Sequence, residues 1–148
     1  MAKASTGGGG WLFRQEPTCY SYADLERDGF TVWDGVNNNL ARKHLRQVKK
    51  GDRVLYYHTG KEKAVVGEMV VIEDPTPDPK SDDPKSVVVK VQAVRRLQHP
   101  LPLARIKEDP TLADWELVRM SRLSVVPVSP AQWKRVEELA AELSKPTG

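Results

Sequence analysis

Few side chains in this sequence have the types and spacing that bond chemistry needs. The histidines His44, His58 and His99 lack the pairwise spacing and companion carboxylates of a metal site. Cys19 is the only cysteine, which excludes an intramolecular disulfide and a cysteine-rich zinc site, and a small, partly buried thiol is expected there. No Gly-x-Ser-x-Gly elbow is present, and the glycine run at 7–10 precedes a strand and lacks the Lys-Ser/Thr of a phosphate loop. Charge and aromatic placement carry more. Between Asn37 and Gly51 lie the five cations Arg42, Lys43, Arg46, Lys49 and Lys50 and no acid, whereas Glu73 to Asp83 holds five acids against Lys80 alone. Trp33-Asp34-Gly35 is a turn signal that carries an aromatic.

These groups need a scaffold, and 148 residues with 39% hydrophobic and 29% charged side chains suffice for one domain. A net charge of +3 permits a polyanionic partner without demanding one. No apolar run approaches the roughly 20 residues that cross a bilayer, and the N-terminus lacks the apolar stretch of a secretory signal, so a soluble intracellular chain with no membrane partner is expected. Residues 1–10 and 145–148 read as tails around a domain at 11–144, because ordering a small, glycine-rich opening costs entropy with nothing to bury.

Within that domain Trp11–Phe13 reads as a first strand stopped at Pro17. Ser21-x-x-Asp24 starts a brief helix that Gly29 ends, and Asn38 or Asn39 caps a second helix that runs to Val48. Arg53–Thr59 alternates as a strand, Ala64–Ile72 is another with a bulge or close approach at Gly67, and Val87–Val94 is a third. The proline-rich link between the last two is expected to be an exposed acidic loop. Pro102–Glu108 and Leu112–Met120 read as short helices, and Val125–Val128 as an edge strand. Ser129, Pro130 and Gln132 then open a final amphipathic helix in a capping box. Strands interleaved with short helices, without regular βαβ spacing, predict an α+β domain around a curved sheet or incomplete barrel.

Four blocks extend this reading. Trp11-Leu12-Phe13-Arg14-Gln15-Glu16-Pro17 comes first. Thr31-Val32-Trp33-Asp34-Gly35-Val36-Asn37-Asn38 follows, with Ala41-Arg42 after it. Val54-Leu55-Tyr56-Tyr57-His58-Thr59 is the third, with Val66-Gly67-Glu68, and Ser121-Arg122-Leu123-Ser124-Val125 with Pro127-Val128 is the last. In order and spacing they resemble the EVE domain family, a PUA-like group related to YTH domains, over about residues 11–140. Gln15 departs from the resemblance by standing where a small hydroxyl residue is usual, a change expected to alter hydrogen bonding at the edge of the family's pocket, and Asn37 by standing where an arginine is common.

The resemblance implies a PUA-like curved mixed sheet and a non-catalytic reader that takes a modified base, a modified cytosine foremost, into an aromatic pocket. Such a reader extrudes the base from a duplex or finds it single-stranded, and stacking it is worth roughly 1–3 kcal/mol. On that reading Trp33 is the stacking wall, and Glu16, Asp34 and Asn38 supply polar atoms for the base edge. Tyr57 or His58 lines the pocket, and Ser121 and Ser124 line or support it. Arg42, Lys43, Arg46, Lys49 and Arg122 contact the phosphates of DNA or RNA. Arg14 and Arg122 are also candidates to pair with Glu16 or Asp34. The reading expects no cofactor, a monomer, and a cytoplasmic location in a bacterium or a nuclear one in a eukaryote. Two other uses fit the same residues. One is an enzyme acting on a nucleotide or modified nucleic acid, with Glu16, Asp34 or His58 as acid or base, and the other is a module whose basic helix binds an acidic protein.

Overall fold

The computed structural model describes residues 9–34, 36 and 38–144; residues 1–8 and 145–148 of the expected tails lie outside the described residues, as do Gly35 and Asn37. The elements are β1 (Gly10–Gln15), α1 (Tyr22–Asp28), β2 (Phe30–Trp33), α2 (Asn39–Gln47), β3 (Arg53–His58), β4 (Ala64–Val71), β5 (Thr76–Pro77), β6 (Val87–Pro102), α3 (Leu103–Lys107), α4 (Glu116–Arg119), β7 (Val125–Val128) and α5 (Pro130–Ser144). The strand order is β2-β6-β4-β3-β1-β7, with β5 pairing β6 off that path. Among the described residues only β1 and β3 pair in parallel. The result is an open, mixed sheet with flanking helices, the α+β architecture expected from the sequence.

Alternation along β1 and β3 gives the sheet two apolar faces. Trp11, Phe13, Tyr56 and His58 share one, and α2 lies over it, with the His44 ring 5.9 Å from that of Trp11. Leu12, Arg14, Leu55 and Tyr57 share the other, which α5 covers with its buried stripe of Trp133, Val136 and Leu139. The helix ends follow their sequence signals. Ser21 and Asp24 form a complete capping box on α1, Asn38 Oδ1 accepts from Ala41 N–H, and Ser129 and Gln132 exchange hydrogen bonds at α5.

One buried tyrosine explains the irregularity around Gly67. The β4 register slips against β3 near Tyr56 and against β6 on both sides of Gly67 and Glu68. The Tyr22 ring lies where a side chain at 67 would be, since a Cβ there would come within 2.5 Å of it. Its hydroxyl reaches 2.7 Å from the Glu68 carbonyl and 2.8 Å from the Arg95 carbonyl, so it hydrogen-bonds the backbone that the slip disturbs.

The structure departs from the sequence reading in several places, the first being that β1 begins at the buried Gly10, inside the stretch expected as a tail. β2 is a strand where only a turn was expected, because its four residues point Phe30 and Val32 outward and so show no inward apolar run. β6 continues to Pro102 instead of ending at Val94, since Arg95, Arg96, Gln98 and His99 lie on its exposed, bulged stretch. α4 is confined to Glu116–Arg119. Its carbonyls at Leu117 and Met120 accept from the Arg14 guanidinium at 2.6 and 2.7 Å, so Arg14 takes over the end of that helix. Cys19 is exposed, where partial burial was expected. The acidic link is not free of the domain: Arg42 reaches Asp83 at 3.1 Å, Arg46 donates to the Lys85 carbonyl at 2.8 Å, and Asp74 accepts from Lys50 N–H at 2.8 Å. The two segregated charge blocks of the sequence therefore meet in space.

Tyr22→Phe removes the donor between β4 and β6 without leaving a cavity, and a loss of about 1–3 kcal/mol is expected as a lower urea midpoint at unchanged slope. Burial pushes the Glu68 carboxyl above its ordinary value, and Arg95 and then Arg53 oppose this only in part. A raised folded-state pKa contributes stability that is present below the unfolded carboxylate range and is lost as pH rises through the folded value. Glu68→Gln should therefore melt higher than the parent at neutral pH, with the difference closing as pH falls below the ordinary carboxylate range. Melting curves across that range read the effect.

Candidate functional site

The aromatic face converges on Trp33. Its position opposite Val89 in the β2–β6 pairing turns the indole inward, where its ring centre lies 5.2 Å from Phe13 and 5.3 Å from Tyr56, the latter edge-on. Tyr56 in turn meets Tyr22 and His58 edge-on at 5.5 and 5.4 Å. Edge-to-face contacts of this kind fix ring planes as well as positions. The Tyr56 hydroxyl donates to the Tyr20 carbonyl and the Tyr20 hydroxyl donates to Asp28 at 2.7 Å, so the turn at 16–20 is tied to the same ladder. Burial raises both tyrosine pKa values, so these hydroxyls remain donors to higher pH than a free phenol does.

Trp33 is 4% exposed and borders a cleft of about 410 Å³. Gln15, Cys19, Tyr20, Thr31, Val32 and Asp34 complete the lining. The volume falls within the roughly 300–1,000 Å³ of small-ligand sites. The Asp34 carboxylate is exposed and loosely paired with Lys80 at 3.8 Å. Gln15 Oε1 accepts from Glu16 N–H at 3.0 Å. A flat aromatic edge, a carboxylate, an amide and small hydroxyl and thiol groups thus border one space. This set suits hydrogen bonding to a planar polar molecule. No histidine lines the cleft, and among the described residues no group of three or more His, Cys, Asp and Glu is placed to hold a metal ion.

Of the sequence-selected pocket residues, only Trp33 and Asp34 border this cleft. Glu16 lies beside it, its carboxylate resting over Gly60. Asn38 spends its side-chain oxygen on the α2 cap. His58 Nε2 accepts from Tyr22 N–H at 3.0 Å, so the proton sits on Nδ1, which donates to Glu62 at 2.7 Å and ties α1 to β3. Tyr57 faces the opposite side of the sheet, with the Arg14 guanidinium 5.3 Å from its ring centre. Arg14 bonds neither Glu16 nor Asp34: it holds the carbonyls of Leu117, Met120 and Leu123, and burial lowers its pKa from the ordinary guanidinium value. The Ser121–Ser124 turn wraps this buried cation, and the Ser124 carbonyl accepts from Arg14 N–H at 2.8 Å. Ser121 and Arg122 are exposed. The resemblance put Gln15 at the pocket edge, but sequence reasoning missed Cys19, Tyr20, Thr31 and Val32 as lining residues. Their proximity arises from β1 and β2 approaching across the sheet face, and no local motif signals it.

A second cleft of about 360 Å³ separates α2 from the acidic link and is bordered by Asn39, Arg42, Lys43, Arg46, Asp83 and Lys85. Lys43 and Lys49 are exposed there and on the following turn, whereas Arg42 and Arg46 hold the link. Arg42 Nε also donates to the Val36 carbonyl at 2.9 Å, just beyond the Trp33 turn, so the two clefts share one stretch of backbone. A third cleft of about 330 Å³ lies between α5 and the bulged part of β6. Among the described residues no helix is long and apolar enough to cross a membrane.

The EVE domain family model matches residues 10–139. Thymocyte nuclear protein 1 of Homo sapiens is 29% identical over 163 residues, covering 87% of this chain and 72% of that protein. An NMR structure from Rhodopseudomonas palustris superposes with a TM-score of 0.85 at 36% identity, covering 93% of this chain and 96% of the other. The crystal structure of human THYN1 protein in complex with 5-methylcytosine-containing DNA superposes with a TM-score of 0.82 at 30% identity, over 93% of this chain and 99% of that one. With matching fold, block order and extent, the chain belongs to the EVE domain family.

Proposed function

We propose that this protein binds nucleic acid and takes an unpaired base, a modified cytosine foremost, into the Trp33 cleft. The observation that carries the reading is the cleft itself, in which a rigidly held indole edge and an exposed carboxylate border a space of ligand size. Asp34 is suited to accept from an exocyclic amine such as cytosine N4. The human relative solved with 5-methylcytosine-containing DNA supports the same ligand class.

Phosphate contact falls to Lys43 and Lys49, with Arg42 and Arg46 joining from the second cleft and Arg122 from the Ser121–Ser124 turn. The Arg42–Asp83 pair is exposed enough to be worth only about 0–1 kcal/mol, so a phosphate can displace it at little cost. Glu16, Asn38, Tyr57, His58, Ser121 and Ser124 act in this scheme by holding the walls: they pin the 16–20 turn, the α2 start, α1 and the Arg14 turn.

Cys19 gives a direct test because it is the only thiol, is exposed and borders the cleft. A single-stranded oligonucleotide with a central 5-methylcytosine should slow its alkylation by maleimide, and the alkylated protein should lose base preference while keeping salt-sensitive binding. An alkylation rate indifferent to saturating oligonucleotide contradicts the reading. Trp33→Ala removes the wall that bounds the base and should reduce the preference for the modified base about 10-fold, as judged by anisotropy on protein shown by circular dichroism to be folded. Replacing Lys43 and Lys49 together with Ala should flatten the slope of log affinity against log salt by about 1.4–1.8 and leave base preference intact.

A further inference from the structure

We infer that Gln15 selects which base the Trp33 cleft accepts, admitting bases that present an exocyclic amine beside a ring acceptor and rejecting keto bases of the same outline. The inference rests on the reading of the cleft as a base site and goes beyond it to the donor and acceptor pattern inside.

Gln15 ends β1, and its backbone is held by β3 and the residue after it: it pairs in register with His58, and its carbonyl accepts from Thr59 N–H at 3.0 Å. The side-chain amide has two ends of opposite character, and chemistry decides which faces where. Glu16 N–H is a donor only, so the group 3.0 Å from it must be the carbonyl oxygen of the amide. That bond commits Oε1 to the backbone and leaves the NH2 group as the end available to a ligand. Gln15 thus offers the cleft a donor, while Asp34, bordering the same cleft, is acceptor-only when ionised. Trp33 lies in the same wall as both.

A donor and an acceptor along one aromatic wall specify the edge of the base. Cytosine and its 5-methyl derivative present an amine that donates to Asp34 and a neighbouring ring nitrogen that accepts from Gln15. Thymine has the same ring and the same methyl group, so shape does not separate it from 5-methylcytosine. Its edge is inverted: a carbonyl oxygen would meet the Asp34 carboxylate, and a ring N–H would meet the Gln15 amide hydrogens. Each polar group taken out of water would then be unpaired, which is how a hydrogen-bonding site rejects an isostere that an apolar pocket admits. Lys80 at 3.8 Å does not cancel the acceptor, because both side chains are exposed and the contact is weak.

The experiment compares two single-stranded oligonucleotides identical except for a central 5-methylcytosine or thymine, titrated by anisotropy at fixed salt against the full chain. The wild type should prefer 5-methylcytosine by about 10- to 100-fold. Gln15→Glu keeps the length and the acceptor for Glu16 N–H but removes the donor, and the ratio should fall to about one or below. The added charge weakens both oligonucleotides alike, so the ratio isolates the base edge. A ratio that survives in folded Gln15→Glu overturns the role of Gln15 and leaves the cleft reading standing. A wild-type ratio of one with Cys19 still protected from alkylation also overturns it. Failure of the reading beneath it shows differently, as unprotected Cys19 at saturating oligonucleotide.

Discussion

The packing of the Trp33 indole against Phe13 and Tyr56 is the contact on which the functional geometry depends. β2 is an edge strand of four residues, and a short edge element positions a side chain poorly unless something else holds it. Here the second hold is aromatic. Phe13 comes from β1 and Tyr56 from β3, strands separated from β2 in the sheet order by three and two other strands. The indole therefore bridges the curved face from its edge to its centre. The same contacts bury most of the ring, so what it presents to the cleft is a narrow, immobile wall.

Around that wall the chain spends several polar side chains on rigidity. His58 and Glu62 fasten α1, Tyr22 hydrogen-bonds the disturbed β4–β6 ladder, and Arg14 gathers one carbonyl of α4 and two of the segment between α4 and β7. A buried guanidinium is costly unless its donors are met, and three carbonyls with an aromatic face beside it supply the compensation. The result is that the end of β1, where Gln15 sits, is fixed from both faces of the sheet. The charged surface behaves differently. The link carrying Asp78, Asp82 and Asp83 leans on α2 through Arg42–Asp83 and on Asp34 through Lys80, pairs that solvent screens, so rigidity at the cleft coexists with exchangeable contacts beside it.

How much of this the sequence disclosed depends on the range of the interaction. Capping at Ser21, Asn38 and Ser129 was legible because a cap is written within four residues. The strand character of Arg53–His58 and the special status of Gly67 were legible too, from alternation and from a missing side chain inside a strand. Family resemblance carried Trp33 and Asp34 to the cleft. The roles of His58 and Arg14 were hidden, since each acts through partners in other elements: Tyr22 for one, Leu117 to Leu123 for the other. Charge segregation read as a free basic helix because composition cannot reveal that the acidic link folds back on it.

The four tryptophans allow the central claim to be tested in one titration. With 15N-labelled indoles, Trp33 has a signal separate from those of Trp11, Trp115 and Trp133, which pack against Asp52, Pro127 and Arg53 away from the cleft. Addition of a 5-methylcytosine oligonucleotide should move the Trp33 signal, assigned by substitution, and leave the other three nearly in place, while an otherwise identical abasic oligonucleotide should move none of them. A Trp33 signal that stays fixed while the modified oligonucleotide binds to saturation contradicts the account.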